Sequence, residues 1–191
     1  MKKVFLSFVF SLIVFAASAQ LSKDDVSLGA SIANLNLQFN KYTDIALTPS
    51  ALWFVENDLA LGAYAKFGMH HTNGSDGSIF EYGIGPLLRY YLLNNKIDLL
   101  KNFFLFMEVN AGFDGQNNTV LKDNTTGVGF GLGPGISYFI TSSIALEAKL
   151  KYDGLIGFGS NSNSNAYANG LNLSVGFQVY LPSQKLANRI K

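Results

Sequence analysis

The stretch LNLSVGFQVYL at residues 171–181 decides the fold, because its apolar side chains fall on every second position. Consecutive side chains of a β-strand point to opposite faces, so this spacing divides the stretch into two faces. One face carries Leu171, Leu173, Val175, Phe177, Val179 and Leu181, and the other carries Asn172, Ser174, Gly176, Gln178 and Tyr180. The pattern predicts a strand with one face in an apolar environment and the other in a polar one.

The same alternation recurs in seven further segments. They are residues 26–37, 45–55, 59–69, 80–91, 103–113, 127–139 and 144–153. These segments match or exceed the roughly 9 to 11 residues that a tilted strand needs to cross a bilayer, whereas strands of soluble proteins average about 5 to 6. The first segment changes phase, which predicts a β-bulge near Ala33 or Asn34. We therefore expect eight long strands.

Charged residues are scarce and follow the same alternation. They make up 14% of the 191 residues, against about 25% in an average soluble domain. The basic residues form no run beyond a pair at the start of the chain, so no nucleic-acid footprint exists. Seven charged strand residues fall on the face opposite the apolar one: Lys66, Glu81, Arg89, Glu108, Glu147, Lys149 and Lys151. This placement predicts lipid outside a barrel and paired charges inside it, because an unpaired buried charge is costly.

The start of the chain has the parts of a secretory signal peptide. Two lysines precede an apolar run at residues 4–17, and a small-x-small pattern ends at Ala19. The run is shorter than the roughly 20 residues that a transmembrane helix needs. We predict a signal peptide at residues 1–19, cleaved between Ala19 and Gln20, a barrel at residues 20–181 and a short periplasmic tail at residues 182–191.

A proline repeat predicts how the hairpins lie in a membrane. Pro49, Pro86 and Pro134 are each followed, four and five residues later, by two aromatic residues. A proline removes a ladder hydrogen bond and a closed barrel has no edge strand to accommodate it, so we expect a bulge at each. The first and third repeats lead into short polar turns, while long polar connections are expected at residues 70–79, 114–125 and 156–169.

Outward aromatics near the ends of these strands predict two girdles at the levels of the lipid headgroups. With the N-terminus on the periplasmic side, the periplasmic girdle consists of Trp53, Tyr90 and Tyr138, and the extracellular girdle of Phe67, Phe80, Phe113 and Tyr152.

Alternating glycines at residues 127–135 could suggest a nucleotide-binding loop. Pro134 stands where the third glycine of such a loop is required, and no helix follows. We expect these glycines to point into the barrel and to leave space for large side chains such as Tyr64, Tyr91, Phe104 or Arg89.

His70 and His71, with Ser75 and Asp76 nearby, are the residues that most resemble a hydrolytic or metal site. Adjacent strand residues point in opposite directions, so the two imidazoles are badly placed to bind one metal. We predict no catalytic residue, no cofactor and no metal site.

The alternating segments and the Gly-Ile-Gly-Pro86 and Gly-Leu-Gly-Pro134 motifs resemble the small outer-membrane β-barrels typified by outer-membrane proteins A and X. The resemblance covers residues 20–181. It implies an all-β fold, an eight-stranded antiparallel up-and-down transmembrane barrel preceded by a cleaved signal peptide. The chain departs from the family in having a tail after its last strand instead of a terminal aromatic residue.

An eight-stranded barrel is just wide enough to be filled by side chains or to hold one small ligand. We therefore expect a structural or surface-interaction role in the outer membrane of a Gram-negative cell, with a filled lumen and no enzyme activity. The alternatives are a narrow porin-like channel or binding barrel for a small solute and, third, a lipid-modifying barrel enzyme. The partners that the resemblance implies are outer-membrane lipid, lipopolysaccharide and the barrel assembly machinery, with no nucleic acid and a monomeric state.

Overall fold

The computed structural model describes residues 21–38, 42–72, 77–92, 103–119, 123–158 and 169–182. The predicted signal peptide, its cleavage site between Ala19 and Gln20 and nearly all of the predicted tail lie outside these residues. Within the described ranges, no helix is long and apolar enough to cross a membrane.

Eight strands form one closed antiparallel barrel. They are β1 (Val26–Gln38), β2 (Tyr42–Phe54), β3 (Leu59–Thr72), β4 (Ser78–Leu92), β5 (Phe103–Asn118), β6 (Asp123–Thr141), β7 (Ile144–Gly157) and β8 (Gly170–Leu181). Each strand pairs with the next along the chain, and β1 pairs with β8 to close the barrel, with Val26 opposite Leu181. The predicted all-β fold and up-and-down topology are confirmed.

Several strands extend beyond the segments that the alternation predicted. β5 reaches Asn118 and β6 begins at Asp123, and the two strands stay paired over this extension. The predicted long connection at residues 114–125 is therefore mostly strand, and His70 and His71 also lie within β3. Outside the apolar part of each strand, both faces carry polar residues. The alternation of apolar and polar residues fades there, so the prediction made these strands too short.

The strand register contains the bulge predicted for the first strand. The pairing of β1 with β2 shifts between Ala33 and Asn36, as the change of phase indicated. A second shift lies between Phe139 and Thr141, beside the turn that joins β6 to β7.

The bulges predicted at the three prolines were wrong, because the register is constant through each of them. Each proline pairs with the preceding strand, while the ladder to the following strand omits the proline and the residue before it. The partners in the preceding strand are Ala30 for Pro49, Ala63 for Pro86 and Met107 for Pro134. The missing N–H group of each proline thus leaves a local gap in the ladder on one side of the strand, and the strand contains no extra residue there.

The barrel has an apolar outer face and a lumen that contains both polar and aromatic side chains. Large apolar side chains are exposed on the outside of all eight strands, for example Leu28, Leu47, Phe67, Ile84, Val109, Leu132, Leu146 and Leu173. We refer to this outer face as the apolar belt. We call the end of the barrel with the turns at residues 55–58 and 142–143 the turn end, and the other end the far end.

The alternating glycines of β6 face the lumen, as predicted, and all five are buried. The side chains that occupy the space where Cβ atoms would lie are Asp114 at Gly129, Asp153 and Asn110 at Gly131, and Phe106 at Gly135. The neighbours that we predicted, Tyr64, Tyr91, Phe104 and Arg89, are not among the three atoms nearest to any of these Cβ positions. At Gly129, Gly131 and Gly135 the space is taken by side chains that lean over from the adjacent strands β5 and β7, and at Gly127 and Gly133 the nearest atoms belong to the backbone of β7.

Replacing Gly135 with alanine should destabilise the folded barrel, because the new Cβ would overlap the ring of Phe106. Overpacking of this kind typically costs about 1–3 kcal/mol. Urea unfolding in lipid vesicles, followed by fluorescence of the single tryptophan, measures the change. The matched control is Gly170→Ala, since no other atom lies within 4 Å of the Cβ added there. Equal losses in the two variants would contradict the packing role.

Candidate functional site

The lumen contains a buried ion-pair cluster centred on Arg89. The fully buried guanidinium donates from Nε and Nη2 to Glu108 Oε2 at 3.0 and 2.6 Å. Its Nη1 donates to Glu147 Oε1 at 2.7 Å. The three residues belong to β4, β5 and β7, so the contacts connect opposite parts of the barrel wall. The stability of such a cluster depends on every partner, because removing one leaves the opposite charge buried and unpaired.

Two lysines extend the cluster toward the far end. Lys149 Nζ lies 3.4 Å and Lys151 Nζ 3.1 Å from Glu108 Oε1, and Lys151 also donates to Asn110 Oδ1. Five of the seven charged residues predicted for the lumen are thereby in one cluster.

The remaining two predicted charges, Lys66 and Glu81, form a separate ion pair of 2.9 Å. Both side chains are about one quarter exposed, at 26% and 24%.

Hydroxyl groups that the prediction did not include complete the hydrogen bonding of the cluster. Ser137 Oγ donates to Glu147 Oε1 at 2.9 Å, and the Tyr91 hydroxyl accepts from Arg89 Nη1 at 3.0 Å. The Tyr180 hydroxyl lies 2.9 Å from that of Tyr91. Each of these residues falls on a lumen-facing position in the alternation of its strand. That position was the signal available in the sequence.

Aromatic rings fill the lumen between the cluster and the turn end. The ring centroids of Phe54 and Tyr91 are 5.5 Å apart, and those of Phe139 and Tyr180 are 4.9 Å apart. The Arg89 guanidinium carbon lies 4.1 Å from the Phe106 ring centroid, a cation–π distance. We call this group of buried rings the aromatic plug.

The residues before β1 pack against the turn end. Leu21 is buried in the same apolar cluster as the aromatic plug. The Asp24 amide donates to the Phe54 carbonyl at 2.8 Å, and the Phe54 amide donates to the Asp25 carbonyl at 2.9 Å. An exposed ion pair of 3.2 Å joins Lys23 to Glu56 in the adjacent turn. The backbone hydrogen bonds hold this segment in place at the turn end, where Leu21 packs on the plug.

A polar cavity of about 90 Å³ lies on the far side of the cluster. Its wall includes Lys66, Glu81, Asp114, Asp153 and Asn172. One water needs about 10–15 Å³ of such volume, so the cavity has room for several waters or one small solute.

The aromatic residues predicted for the girdles lie on the outer face. Trp53, Tyr90, Phe67, Phe80, Phe113 and Tyr152 are exposed there, and Tyr138 is half-buried against Phe103, with ring centroids 4.7 Å apart. Phe67, Phe113 and Tyr152 are not at the ends of their strands, because all three strands continue for five residues beyond them. The strands therefore extend past the level that these three aromatics mark.

His71 has a geometry that favours a structural role. Its Nδ1 lies 2.9 Å from Ser78 Oγ and 3.2 Å from the Gly77 carbonyl oxygen. A carbonyl oxygen only accepts, so the contact with Gly77 is a hydrogen bond in the tautomer with the proton on Nδ1, and in that tautomer Nδ1 cannot take a proton from the serine. Ser75 and Asp76 lie outside the described residues. Among the residues that are described, no group of three or more His, Cys, Asp or Glu side chains could hold a metal ion.

A closed eight-stranded up-and-down barrel with an apolar exterior has the fold of the small outer-membrane β-barrels, and solved structures of that class are similar to this chain. Neisserial surface protein A matches with a TM-score of 0.53 and 18% identity, over 81% of this chain and 95% of that one. OprG from Pseudomonas aeruginosa matches with a TM-score of 0.51 and 11% identity, over 87% and 100%. Ail of Yersinia pestis matches with a TM-score of 0.51 and 10% identity, over 83% and 99%. No protein-family model and no curated protein matches the chain in sequence. The resemblance to this fold, first seen in the sequence, is confirmed.

Proposed function

We propose that the protein is an integral barrel of a bacterial outer membrane, with a structural or surface-interaction role and no passage of solutes through its lumen. The observation that carries the proposal is the apolar belt, which runs around all eight strands of a closed barrel whose described strand charges face inward. In water such a surface would be an aggregation hazard, whereas in a bilayer it is the required exterior.

The filled lumen argues against a channel. A solute moving along the barrel axis would have to separate Arg89 from Glu108 and Glu147 and then displace the rings of the aromatic plug. At the turn end, Leu21 packs in the same apolar cluster as the aromatic plug and adds to this obstruction. We infer that the cavity at the far end is blocked on the side of the turn end. We also infer that the barrel works as a monomer surrounded by lipid. Lipopolysaccharide and the barrel assembly machinery are its proposed partners.

Membrane fractionation combined with planar-bilayer recording tests this function. The folded protein should partition with the outer membrane and migrate differently from boiled protein on a gel, because closed barrels keep their shape in detergent. In a planar bilayer it should produce no steady single-channel steps, because the lumen is blocked by ion pairs and rings. Recovery in the soluble fraction would overturn the membrane location. Regular conductance steps would support the narrow channel instead.

A further inference from the structure

At the far end of the cavity, the wall carries three carboxylates, Glu81, Asp114 and Asp153, against two lysines, Lys66 and Lys151. Asp114 on β5 accepts a hydrogen bond from the Tyr64 hydroxyl at 3.0 Å. Within the described part of the chain, no ion pair joins Asp114 to a basic side chain. Its carboxylate leans over Gly129 of β6, into the space where a Cβ would lie.

Asp153 reaches the same region from the opposite side of β6. Its carboxylate occupies the Cβ position of Gly131 and accepts a hydrogen bond from Asn172 Nδ2 at 2.9 Å. Lys151 Nζ is 3.8 Å away and is already bound to Glu108 and Asn110. Positions two apart on a strand are separated by about 7 Å. Because these glycines leave room on β6, the two carboxylates lean toward each other from β5 and β7.

A third acceptor in the cavity is independent of these charges. Gln116 lines the cavity and is only 6% exposed, yet its Oε1 atom has no hydrogen-bond partner among the described residues. It lies two residues beyond Asp114 on the same face of β5. Buried polar atoms are nearly always hydrogen-bonded, and Gln116 belongs to the cavity wall, so its unpartnered oxygen indicates a ligand group that donates to it.

We propose that the far end of the cavity binds a small molecule through a protonated primary amine. An ammonium group has three N–H donors and one positive charge, which suit the Asp114 and Asp153 carboxylates and Gln116 Oε1. A carboxylate ligand would be repelled by the two acids, and a neutral alcohol would leave their charge uncompensated. This binding goes beyond the proposed function, because a barrel closed at its turn end can hold a solute without passing it.

The test uses the full folded chain in detergent micelles and three probes of matched size: ethylammonium, ethanol and acetate. Dissociation constants come from NMR titration of the protein. Ethylammonium should bind saturably, while ethanol and acetate should show no saturable binding. Equal responses to the three probes, or no saturable response to ethylammonium, would overturn the proposal. Because no membrane is present, either result leaves the proposed membrane location and closed lumen untouched.

Two variants locate the site. Asp114→Asn should weaken ethylammonium binding at least tenfold, because it removes a negative charge and one acceptor oxygen. Gln116→Met should weaken binding severalfold, because it removes the amide oxygen, and both variants keep the size of the side chain. The matched control is Glu56→Gln, an exposed acid at the turn end, which should bind as the original chain does. A gel shift on heating confirms that each variant is folded. If Asp114→Asn does not fold, Gln116→Met decides alone, because the Oε1 atom that it removes together with Nε2 makes no hydrogen bond within the described structure. Unchanged affinity in the folded variants would contradict the site.

Discussion

Replacing Arg89 with methionine should lower the free energy of unfolding by about 3–5 kcal/mol, the range measured when one partner of a buried ion pair is removed. Arg89 has the largest fully buried side chain of the described barrel and makes three hydrogen bonds to two carboxylates. Methionine fills much of the same volume but leaves Glu147 with only hydroxyl donors. Glu108 retains its two lysines, so most of the loss should come from Glu147.

Unfolding in urea, measured in lipid vesicles, gives the loss for Arg89→Met and for the double variant Arg89→Met, Glu147→Gln. The double variant should recover part of the stability, because the uncompensated carboxylate becomes a neutral amide. Lys23→Met is the control, since the exposed pair with Glu56 should contribute at most about 1 kcal/mol. A loss for Arg89→Met no larger than that for Lys23→Met would show that the cluster does not stabilise the barrel.

Strand parity predicted which residues face the lumen but not which of them meet. Arg89 and Glu147 lie on strands that are not neighbours, and their contact depends on barrel width and on the tilt of the strands. No local pattern in the sequence encodes these quantities. The pair of Arg89 and Glu108 is a different case from Arg89 and Glu147. These two residues face each other across one ladder, so the strand register alone would predict their contact.

The acidic end of the cavity was missed for a different reason. Asp114 and Gln116 were assigned to a loop, because polar residues on both faces end the apolar alternation after Phe113. Their ladder with β6 nevertheless continues to Asn118. The contribution of Leu21 to the closure of the turn end was also invisible in the sequence, since Leu21 precedes the first strand and follows no periodic pattern.

The substitution Val109→Arg tests directly whether the apolar belt faces lipid. Val109 is 43% exposed on the outer face of β5 and is paired with Leu88 and Leu132 on the two neighbouring strands. Arginine at the bilayer midplane on a barrel's lipid face costs about 2–4 kcal/mol. On the surface of a soluble barrel, the same change at an exposed position would stay within about 0.5 kcal/mol.

Val109→Arg should therefore unfold in urea at a clearly lower concentration than the original chain in lipid vesicles. The matched control is Ser142→Arg in the exposed turn between β6 and β7, where the same charge remains in water and stability should be unchanged. Val109→Ala separates the effect of the charge from the loss of the valine side chain. If Val109→Arg and Ser142→Arg have equal effects, then the belt does not face hydrocarbon and the proposed membrane location is wrong. The closed barrel would stand in that case, because its register depends on the strands and not on the surrounding solvent.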